Sequence, residues 1–258
     1  MARYLSWNVY HGTIVGVTPT QRIGQIVTLG MANAVDVICL SEVPSNILQA
    51  GLGFGAAGGT IVPWLTANVV GWAGVYTALQ ALAENNPNSP RVANTADGYL
   101  IFYRTATFPN PIAAFGYYQA WQFYDLTGTF LRPPVTVTLN GAGGNVTVMN
   151  WHADVAAPQV TSALAALNGL LGKGQNRPNP TAVLGDFNYA GPLNNAFPVG
   201  AKPFSGWDDW STDILNAMGN PISGGLDHII TSVVSTQALA NVLTFKSDAY
   251  HFPLAVDF

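Results

Sequence analysis

Short apolar runs recur along the chain, and most of them have the length and alternation that are typical of β-strands. The run R-Y-L-S-W-N-V alternates apolar and polar residues, whereas V-D-V-I-C-L is of the buried-strand type. Two further runs, V-T-V-T-L and N-V-T-V-M-N, are joined by N-G-A-G-G, which predicts a hairpin. The predicted strands are Arg3–Val9, Val35–Leu40, Tyr99–Tyr103, Val135–Leu139, Val146–Asn150, Ala182–Leu184, Asp227–Thr231 and Phe252–Phe258.

Other segments have helical spacing or loop composition. The predicted helices are Thr20–Met31, which follows the start signal Thr18-Pro19, Val75–Ala83 and Thr161–Leu171. Strands and helices alternate in the first part of the chain, antiparallel hairpins are mixed in, and no linker-like change of composition divides it. This pattern predicts a layered α/β protein with two packed sheets flanked by helices, in a single domain over residues 1–258.

The chain uses charge sparingly. Charged residues make up 9% of it, against about 25% in typical soluble domains. Neutral polar residues must therefore cover the surface, which is common in exported proteins and favours secretion or delivery into another cell. Met1-Ala2 leads at once into a strand-like run, so no signal peptide is visible, and the protein is either made without one or trimmed. The single cysteine, Cys39, excludes a disulfide within the chain and is expected to be a buried apolar residue.

The charge balance limits the partners. With nine Lys and Arg residues and a net charge of −4, the chain has no strong basic field for nucleic acid. Any phosphate-binding function would need a few well-placed groups or bound cations instead. No apolar run reaches the about 18–20 residues of a membrane span.

Polar groups stand repeatedly at one end of the predicted strands. In layered α/β folds such strand ends gather at one edge, where sites are built. Each group alone also has a structural explanation: G-D-F-N as a turn, a histidine as a hydrogen-bonded core residue, a glutamate as a helix N-terminal acid. Turn chemistry does not readily explain the whole set, which is Asn8, Glu42, Asp97, His152, Asp186, Asn188, Asp227, Asp248 and His251.

The order of these groups resembles the endonuclease/exonuclease/phosphatase superfamily. The motifs, from Ser6 to Phe258, are W-N-V, S-E-V, R-P-P, N-W-H, G-D-F-N, L-D-H-I and S-D…H-F-P. Deoxyribonuclease I and the nuclease subunit of cytolethal distending toxin are the members that the chain resembles most. The resemblance implies a four-layered α/β sandwich of two packed mixed β-sheets flanked by helices. None of the motifs is specific for a substrate.

Position by position, the resemblance also implies a metal site. Asn8 and Glu42 would help to hold a divalent cation, Mg²⁺ or else Mn²⁺ or Ca²⁺, and Asp248 would face it directly or through water. Asp186 and Asn188 would orient the attacking water and the scissile phosphate.

The remaining roles implied by the resemblance concern the phosphate. His251, positioned by Asp227, would act as the general base or as a phosphate ligand. His152 would stabilise charge on a phosphate oxygen, with Asp97 supporting it, and Arg132 in F-L-R-P-P would contact the backbone phosphate. Cleavage of an anionic phosphodiester needs such cations and donors around its transition state.

The terminal motif departs from the family pattern. The usual ending is S-D-H-x-P, whereas Ala249 and Tyr250 separate Asp248 from His251 here. A bulge could absorb the two extra residues. Otherwise one of the two groups is out of place, and the H-F-P match favours His251 as the one that reaches the site.

Three further polar features have less specific interpretations. His228 should point to the face of its strand opposite Asp227 and be structural. His11 is expected to be structural, with contact to substrate as the alternative. The W-D-D-W cluster, Trp207–Trp210, is expected to be an exposed turn, with a substrate-shaping loop as the alternative.

The leading hypothesis is a divalent-metal-dependent phosphodiesterase, an endonuclease that hydrolyses DNA. A phosphoinositide phosphatase or a sphingomyelinase-like phospholipase C on the same scaffold is the second, and a binding or effector protein that keeps the fold with impaired catalysis is the third. The expected molecule is a monomeric catalytic domain, with partner subunits if it is a toxin component.

Overall fold

The computed structural model describes residues 1–9, 26, 28–44, 69–78, 97–109, 114–117, 134–153, 179–189, 208–215, 221–239, 251 and 253–258. Twelve strands lie within these residues. They are β1 (Arg3–Asn8), β2 (Val37–Pro44), β3 (Trp72–Ala78), β4 (Asp97–Arg104), β5 (Ala114–Tyr117), β6 (Val135–Gly141), β7 (Gly144–His152), β8 (Thr181–Asp186), β9 (Asp208–Leu215), β10 (Pro221–Thr231), β11 (Thr236–Leu239) and β12 (Leu254–Asp257).

The described strands form two mixed six-stranded sheets. The first sheet has the order β11-β12-β1-β2-β4-β3 and the second has the order β5-β6-β7-β8-β10-β9. Each sheet has one parallel pair, β1–β2 in the first and β7–β8 in the second, and its other pairs are antiparallel. The predicted arrangement of two packed mixed sheets is confirmed.

Alternation along the strands divides the core into two layers. On β1, Tyr4 points into the layer between the sheets, whereas Leu5 and Trp7 point to the outer face of the first sheet. Ile26 and Leu29, from the predicted helix Thr20–Met31, pack on that outer face, and residues 28–32 are helical. Within the described part of the chain, no helix is long and apolar enough to cross a membrane. The predicted helix Thr161–Leu171 lies outside the described residues.

The hairpin predicted from N-G-A-G-G is confirmed. Strands β6 and β7 pair antiparallel from Val135↔Asn150 to Gly141↔Gly144, and a two-residue turn joins them. Alternate residues of β6, such as Val137 and Leu139, enter the core between the sheets.

Two predictions of secondary structure are wrong. The helix expected over Val75–Ala83 begins as strand β3, because Trp72–Ala78 pairs with β4 along its whole length; residues 79–83 lie outside the described part. Helices and strands cannot be distinguished in such short apolar runs by periodicity alone. The turn expected at W-D-D-W is also wrong over Asp208–Trp210, which opens β9 and pairs with β10. Trp207 lies outside the described residues, and the sequence analysis missed β5, β9 and β11.

Candidate active site

Three polar residues form a row across the second sheet. His152 at the end of β7 lies beside Asp186 at the end of β8, and Asp186 lies opposite Asp227 in β10. Residues directly opposite on neighbouring strands project to the same face. That face is the side towards the first sheet, since Leu184 and Ile229, two residues away on β8 and β10, belong to the core between the sheets.

The first sheet presents Asn8 and Glu42 to this row. The parallel β1–β2 pair brings the carboxyl ends of both strands to the same end of the sheet. Strand β2 contains a bulge between Leu40 and Val43, where one extra residue interrupts the pairing with β4. Glu42 lies in this bulge with a φ of 54°, a left-handed conformation that non-glycine residues seldom adopt.

The Asp186 carboxylate is the centre of the cluster. Its Oδ2 atom accepts a hydrogen bond from Asn8 Nδ2 at 2.9 Å and lies 3.5 Å from His251 Nε2 and 3.6 Å from His152 Nε2. Its Oδ1 atom accepts from the backbone N–H of Asn188 at 2.8 Å. Contacts from both sheets therefore converge on one carboxylate.

The pKa of Asp186 is raised to about 6, chiefly because burial removes the carboxylate from water and to a smaller extent because of the neighbouring charge of Asp227. Interaction with His251 and the hydrogen bonds from Asn188 and Asn8 act in the opposite direction. Asp186 is 1% exposed, so removal from water is the largest effect. A cation placed against this carboxylate would stabilise its ionised form.

His251 is oriented by Asp227. It lies just before β12, and its Nδ1 atom is 3.0 Å from Asp227 Oδ2. A carboxylate accepts only, so this contact places a proton on Nδ1 and leaves Nε2 as the basic atom of the neutral ring. Asn8 Nδ2 lies 3.5 Å from that Nε2 atom. How Ala249 and Tyr250 are accommodated lies outside the described residues.

His152 lies between two carboxylates. Its Nε2 atom is 3.5 Å from Glu42 Oε1, and the Asp186 carboxylate flanks the same atom. The ring is almost fully buried, whereas Glu42 is slightly more exposed. When its Nε2 atom carries a proton, the ring can donate to these carboxylates or to an anion bound beside them.

The G-D-F-N segment ends strand β8 and contains two unusual backbone conformations. Gly185 has a φ of 147°, and a Cβ atom built on it would lie 1.7 Å from the carbonyl oxygen of Trp151. Asn188 has a φ of 48°, and its Nδ2 atom donates to Ala153 O at 2.7 Å. Only glycine fits where β8 approaches β7 so closely, and this approach sets Asp186 beside His152.

The predicted site residues fall into two groups. The structure brings seven of them together: Asn8, Glu42, His152, Asp186, Asn188, Asp227 and His251. Arg132, Asp248 and His11 lie outside the described residues, and of Asp97 only the backbone, paired with Pro44, is described. His228 lies away from the cluster, buried against Phe187, with Nε2 2.8 Å from Tyr189 O.

The donor set suits a hard divalent cation. Ligand atoms of Asp186, Asp227 and His251 all lie within 4.8 Å of one another, close enough to hold a metal ion. Glu42 Oε1 lies 3.5 Å from His152 Nε2, the atom that also lies 3.6 Å from Asp186 Oδ2. Asp186 thus belongs to a group of described residues that could hold a metal ion, whereas the family resemblance implied for it the orientation of the attacking water and the phosphate.

Sequence reasoning also missed two residues that support the site, Tyr99 and Asn150. Tyr99 O–H accepts a hydrogen bond from His152 N at 3.0 Å, and Asn150 Nδ2 donates to Leu40 O at 2.8 Å. In the sequence, Tyr99 is only the first residue of the strand-like run Y-L-I-F-Y. Asn150 is the first residue of N-W-H, and its place inside a quoted motif was the only available signal.

Comparison with known proteins identifies similar sequences and folds. Residues 5–245 match the model of the Endonuclease/Exonuclease/phosphatase family, whereas no curated protein matches the chain significantly. Humanized D. rerio TDP2 is similar with a TM-score of 0.65 and 11% identity, over 100% of this chain and 99% of that one.

Two other solved structures are similar over the whole of this chain. A mannosyl-6-phosphatase from Bacteroides thetaiotaomicron has a TM-score of 0.65 at 15% identity, over 100% of this chain and 99% of that one. The human Nocturnin catalytic domain, with a bound sulfate anion, has a TM-score of 0.61 at 18% identity, over 100% and 94% respectively. At sequence identities as low as these, the similarity to the solved structures shows the fold of this chain.

Proposed function

Because the chain belongs to the endonuclease/exonuclease/phosphatase family, we propose that it is a divalent-metal-dependent phosphodiesterase that cleaves DNA as an endonuclease. The observation that carries the proposal is the convergence of two imidazoles and three carboxylates, from different strands of both sheets, around Asp186. Such a cluster buried at a strand end has the acid, base and metal-binding groups of phosphoester hydrolysis.

The metal would be held by carboxylate and amide oxygens. Glu42 and Asn8, with Asp186, would hold Mg²⁺, or else Mn²⁺ or Ca²⁺. A bound divalent cation would supply charge stabilisation at the phosphate. The described part of the site contains no lysine or arginine, so without a cation its carboxylates would repel a phosphate group.

His251 would serve as the general base. The contact with Asp227 holds its Nδ1 proton, so Nε2 can take the proton of the attacking water. As the ring becomes charged, the Asp227 carboxylate stabilises it. Because Asp227 contacts His251 directly, the two residues would act together as the general base.

His152 and Asn188 would act on the phosphate. With a proton on Nε2, which faces the carboxylates of Glu42 and Asp186, His152 would donate to a phosphate oxygen as charge develops there. Asn188 lies at the partly exposed rim of the site, and the hydrogen bond from its Nδ2 atom to Ala153 O holds its side chain there. Arg132 and Asp248 keep their expected roles at the phosphate and the cation.

The charge distribution favours a second candidate, hydrolysis of a small phosphoester such as a phosphoinositide or sphingomyelin. The two described arginines, Arg3 and Arg104, lie at the other end of the strands and contact Asp257 and Asp36. Long nucleic acids usually need several cations at their phosphates, whereas a small substrate needs few. R-P-P with Arg132 and the paired histidines favour DNA.

Plasmid relaxation tests the proposal. Wild-type protein with Mg²⁺ should nick supercoiled DNA, EDTA should abolish nicking, and His251→Ala should lower the rate about 10²–10⁴-fold because the general base is lost. Val234→Ala, at an exposed position beyond β10, is the control and should nick like wild type.

Parallel assays separate the alternatives. Release of phosphate from inositol phosphates, or of phosphocholine from sphingomyelin, without nicking would replace the DNA substrate by the second candidate. A well-folded protein that hydrolyses none of these substrates with Mg²⁺ or Mn²⁺ would contradict the proposal and support the impaired effector.

A further inference from the structure

The site is divided between the two sheets, so its geometry depends on how the sheets are held against each other. Asn8 and Glu42 belong to the first sheet, and His152, Asp186 and Asp227 belong to the second. Apolar side chains fill the layer between the sheets, and apolar contacts are not directional. Directional contacts between the sheets are needed to fix distances at the site.

Tyr99 provides one such contact from the first sheet to the second. It lies on β4, is 1% exposed, and its hydroxyl oxygen accepts a hydrogen bond from His152 N at 3.0 Å. The same hydroxyl donates to His152 O at 3.5 Å. Both backbone polar groups of one site residue on β7 are therefore linked to a side chain of the opposite sheet.

Asn150 provides the reciprocal contact from the second sheet to the first. It is fully buried on β7, and its Nδ2 atom donates to Leu40 O at 2.8 Å and to Leu100 O at 3.3 Å. Leu40 and Leu100 form the last regular pair of β2 and β4 before the bulge that carries Glu42. Asn150 therefore donates to both residues of the strand pair after which the bulge begins.

The cross-sheet contacts of Tyr99 and Asn150 lie next to the bulge in which Glu42 has its left-handed backbone conformation. Tyr99 follows Gly98 on β4 and stands opposite the bulge, between the pairs Val43↔Gly98 and Leu40↔Leu100. A left-handed φ at a non-glycine residue persists only where the surroundings hold it in place. Tyr99 and Asn150 are two polar side chains near the bulge that connect the two sheets.

We propose that Tyr99 and Asn150 are positioning residues that hold Glu42 of the first sheet at a fixed distance from His152 of the second, and that this distance sets the affinity of the site for its divalent cation. The inference rests on the proposed function in taking Glu42 as a cation ligand. Neither residue touches the reacting atoms; both act through the backbone.

Tyr99→Phe tests this role with the smallest change, since only the hydroxyl is lost. We expect the dissociation constant for Mn²⁺, measured by calorimetry, to rise about tenfold, as is typical when a group that orients a metal ligand is removed. Exchange of the His152 amide hydrogen should be about tenfold faster, because its acceptor is gone. Higher Mg²⁺ should recover most of the lost hydrolysis, with the substrate KM unchanged.

Tyr103→Phe is the matched control. Tyr103 lies on the same strand and in the same core layer, and it contacts Phe108 through its ring. This variant should keep the Mn²⁺ affinity and the His152 exchange rate of wild type. Asn150→Leu, with the same branched shape but no donor, should weaken Mn²⁺ binding like Tyr99→Phe, and its thermal unfolding identifies any general loss of fold.

The outcomes separate this inference from the proposed function. If the wild-type protein binds Mn²⁺ but hydrolyses no substrate, the proposed function fails. The inference on Tyr99 and Asn150 still holds in that case, provided that Tyr99→Phe weakens Mn²⁺ binding. Equal Mn²⁺ affinity in wild type, Tyr99→Phe and Asn150→Leu would overturn the inference, as would a wild type that binds no divalent cation. So would unchanged exchange of the His152 amide in Tyr99→Phe.

Discussion

A single buried carboxylate, Asp186, connects the residues of the candidate site. It sits opposite Asp227 in a regular strand pair, an arrangement in which like charges destabilise the sheet. Hydrogen bonds from Asn8 and Asn188 and the nearby ring of His251 offset part of this cost. The pKa of Asp186 nevertheless stays raised, chiefly because burial removes its carboxylate from water.

Asp186→Asn should change how stability depends on pH in metal-free protein. The folded pKa of about 6 exceeds the usual aspartate value of 3.8, so the folded state binds the proton more tightly than the unfolded state. Stability from this group is therefore present below pH 3.8 and is lost as pH rises through 6. Because the variant lacks the group, its stability relative to wild type should increase by about 2 kcal/mol between about pH 4 and 7.

Urea unfolding in EDTA at both pH values measures this difference. Comparing each protein with itself across pH removes the effect of changed hydrogen bonding at position 186. Added Mg²⁺ should reverse part of the loss in wild type only, since a cation favours the ionised carboxylate. A parallel pH dependence in the two proteins would show that Asp186 has an ordinary pKa.

At the scale of the element, the sequence was informative where one local pattern decides the structure. Strands β1, β6 and β7 follow from alternation, and the N-G-A-G-G turn fixes the hairpin. The β3 strand could not be told from a helix, since its pairing with β4 depends on residues that are distant in the chain. The β2 bulge was beyond prediction for the same reason: its extra residue is defined only by the register with β4.

The site residues were more predictable than their arrangement. The order of the motifs indicated Glu42, His152 and Asp186, because residue type and position along the chain are visible in a sequence. The central place of Asp186 and the cross-sheet contact of Tyr99 depend on how two sheets pack, which no local pattern encodes.

Gly185→Ala should disrupt the element that carries Asp186. Its Cβ would collide with Trp151 O, and its φ of 147° is unfavourable for any other residue. We expect a loss of at least about 2 kcal/mol in the free energy of unfolding and loss of hydrolysis, because β8 would have to move away from β7.

Gly143→Ala is the control for this substitution. Gly143 lies in the β6–β7 turn, and no atom lies within 4 Å of a Cβ built there. Its unfolding free energy should change by less than about 0.5 kcal/mol, as is usual for surface substitutions. Equal stability of the two alanine variants in chemical denaturation would mean that β7 and β8 do not approach each other as described.

On the scale of the whole molecule, the two ends of the sandwich differ in chemistry. One end carries the polar cluster of the candidate site. At the other end, Arg3 at the start of β1 forms an ion pair with Asp257 at the end of β12. The described cations are thus engaged in structure, away from the site. Any attraction for a polyanion must come from the bound cation and from Lys and Arg residues outside the described part of the chain.

DNA cleavage should therefore depend less on salt than is usual for proteins that make about six or more phosphate contacts. The affinity of a protein for duplex DNA falls with salt by a log–log slope of about −0.9 for each phosphate that it neutralises. With nine Lys and Arg residues and a net charge of −4, we expect no more than about three such contacts, and hence a rise of less than about 100-fold in KM from about 50 to 200 mM salt. Nicking rates at several plasmid concentrations and saturating Mg²⁺ give this slope.

Hydrolysis of bis(p-nitrophenyl) phosphate under the same conditions is the control, because a substrate with a single phosphodiester charge should be nearly insensitive to salt. If higher salt lowered the hydrolysis of both substrates equally, the cause would be weaker Mg²⁺ binding rather than weaker DNA binding. A rise of about 1000-fold or more in the KM for DNA alone would contradict the prediction, because it requires about six or more phosphate contacts. Those contacts would have to come from a basic surface formed by cations far from one another in the sequence.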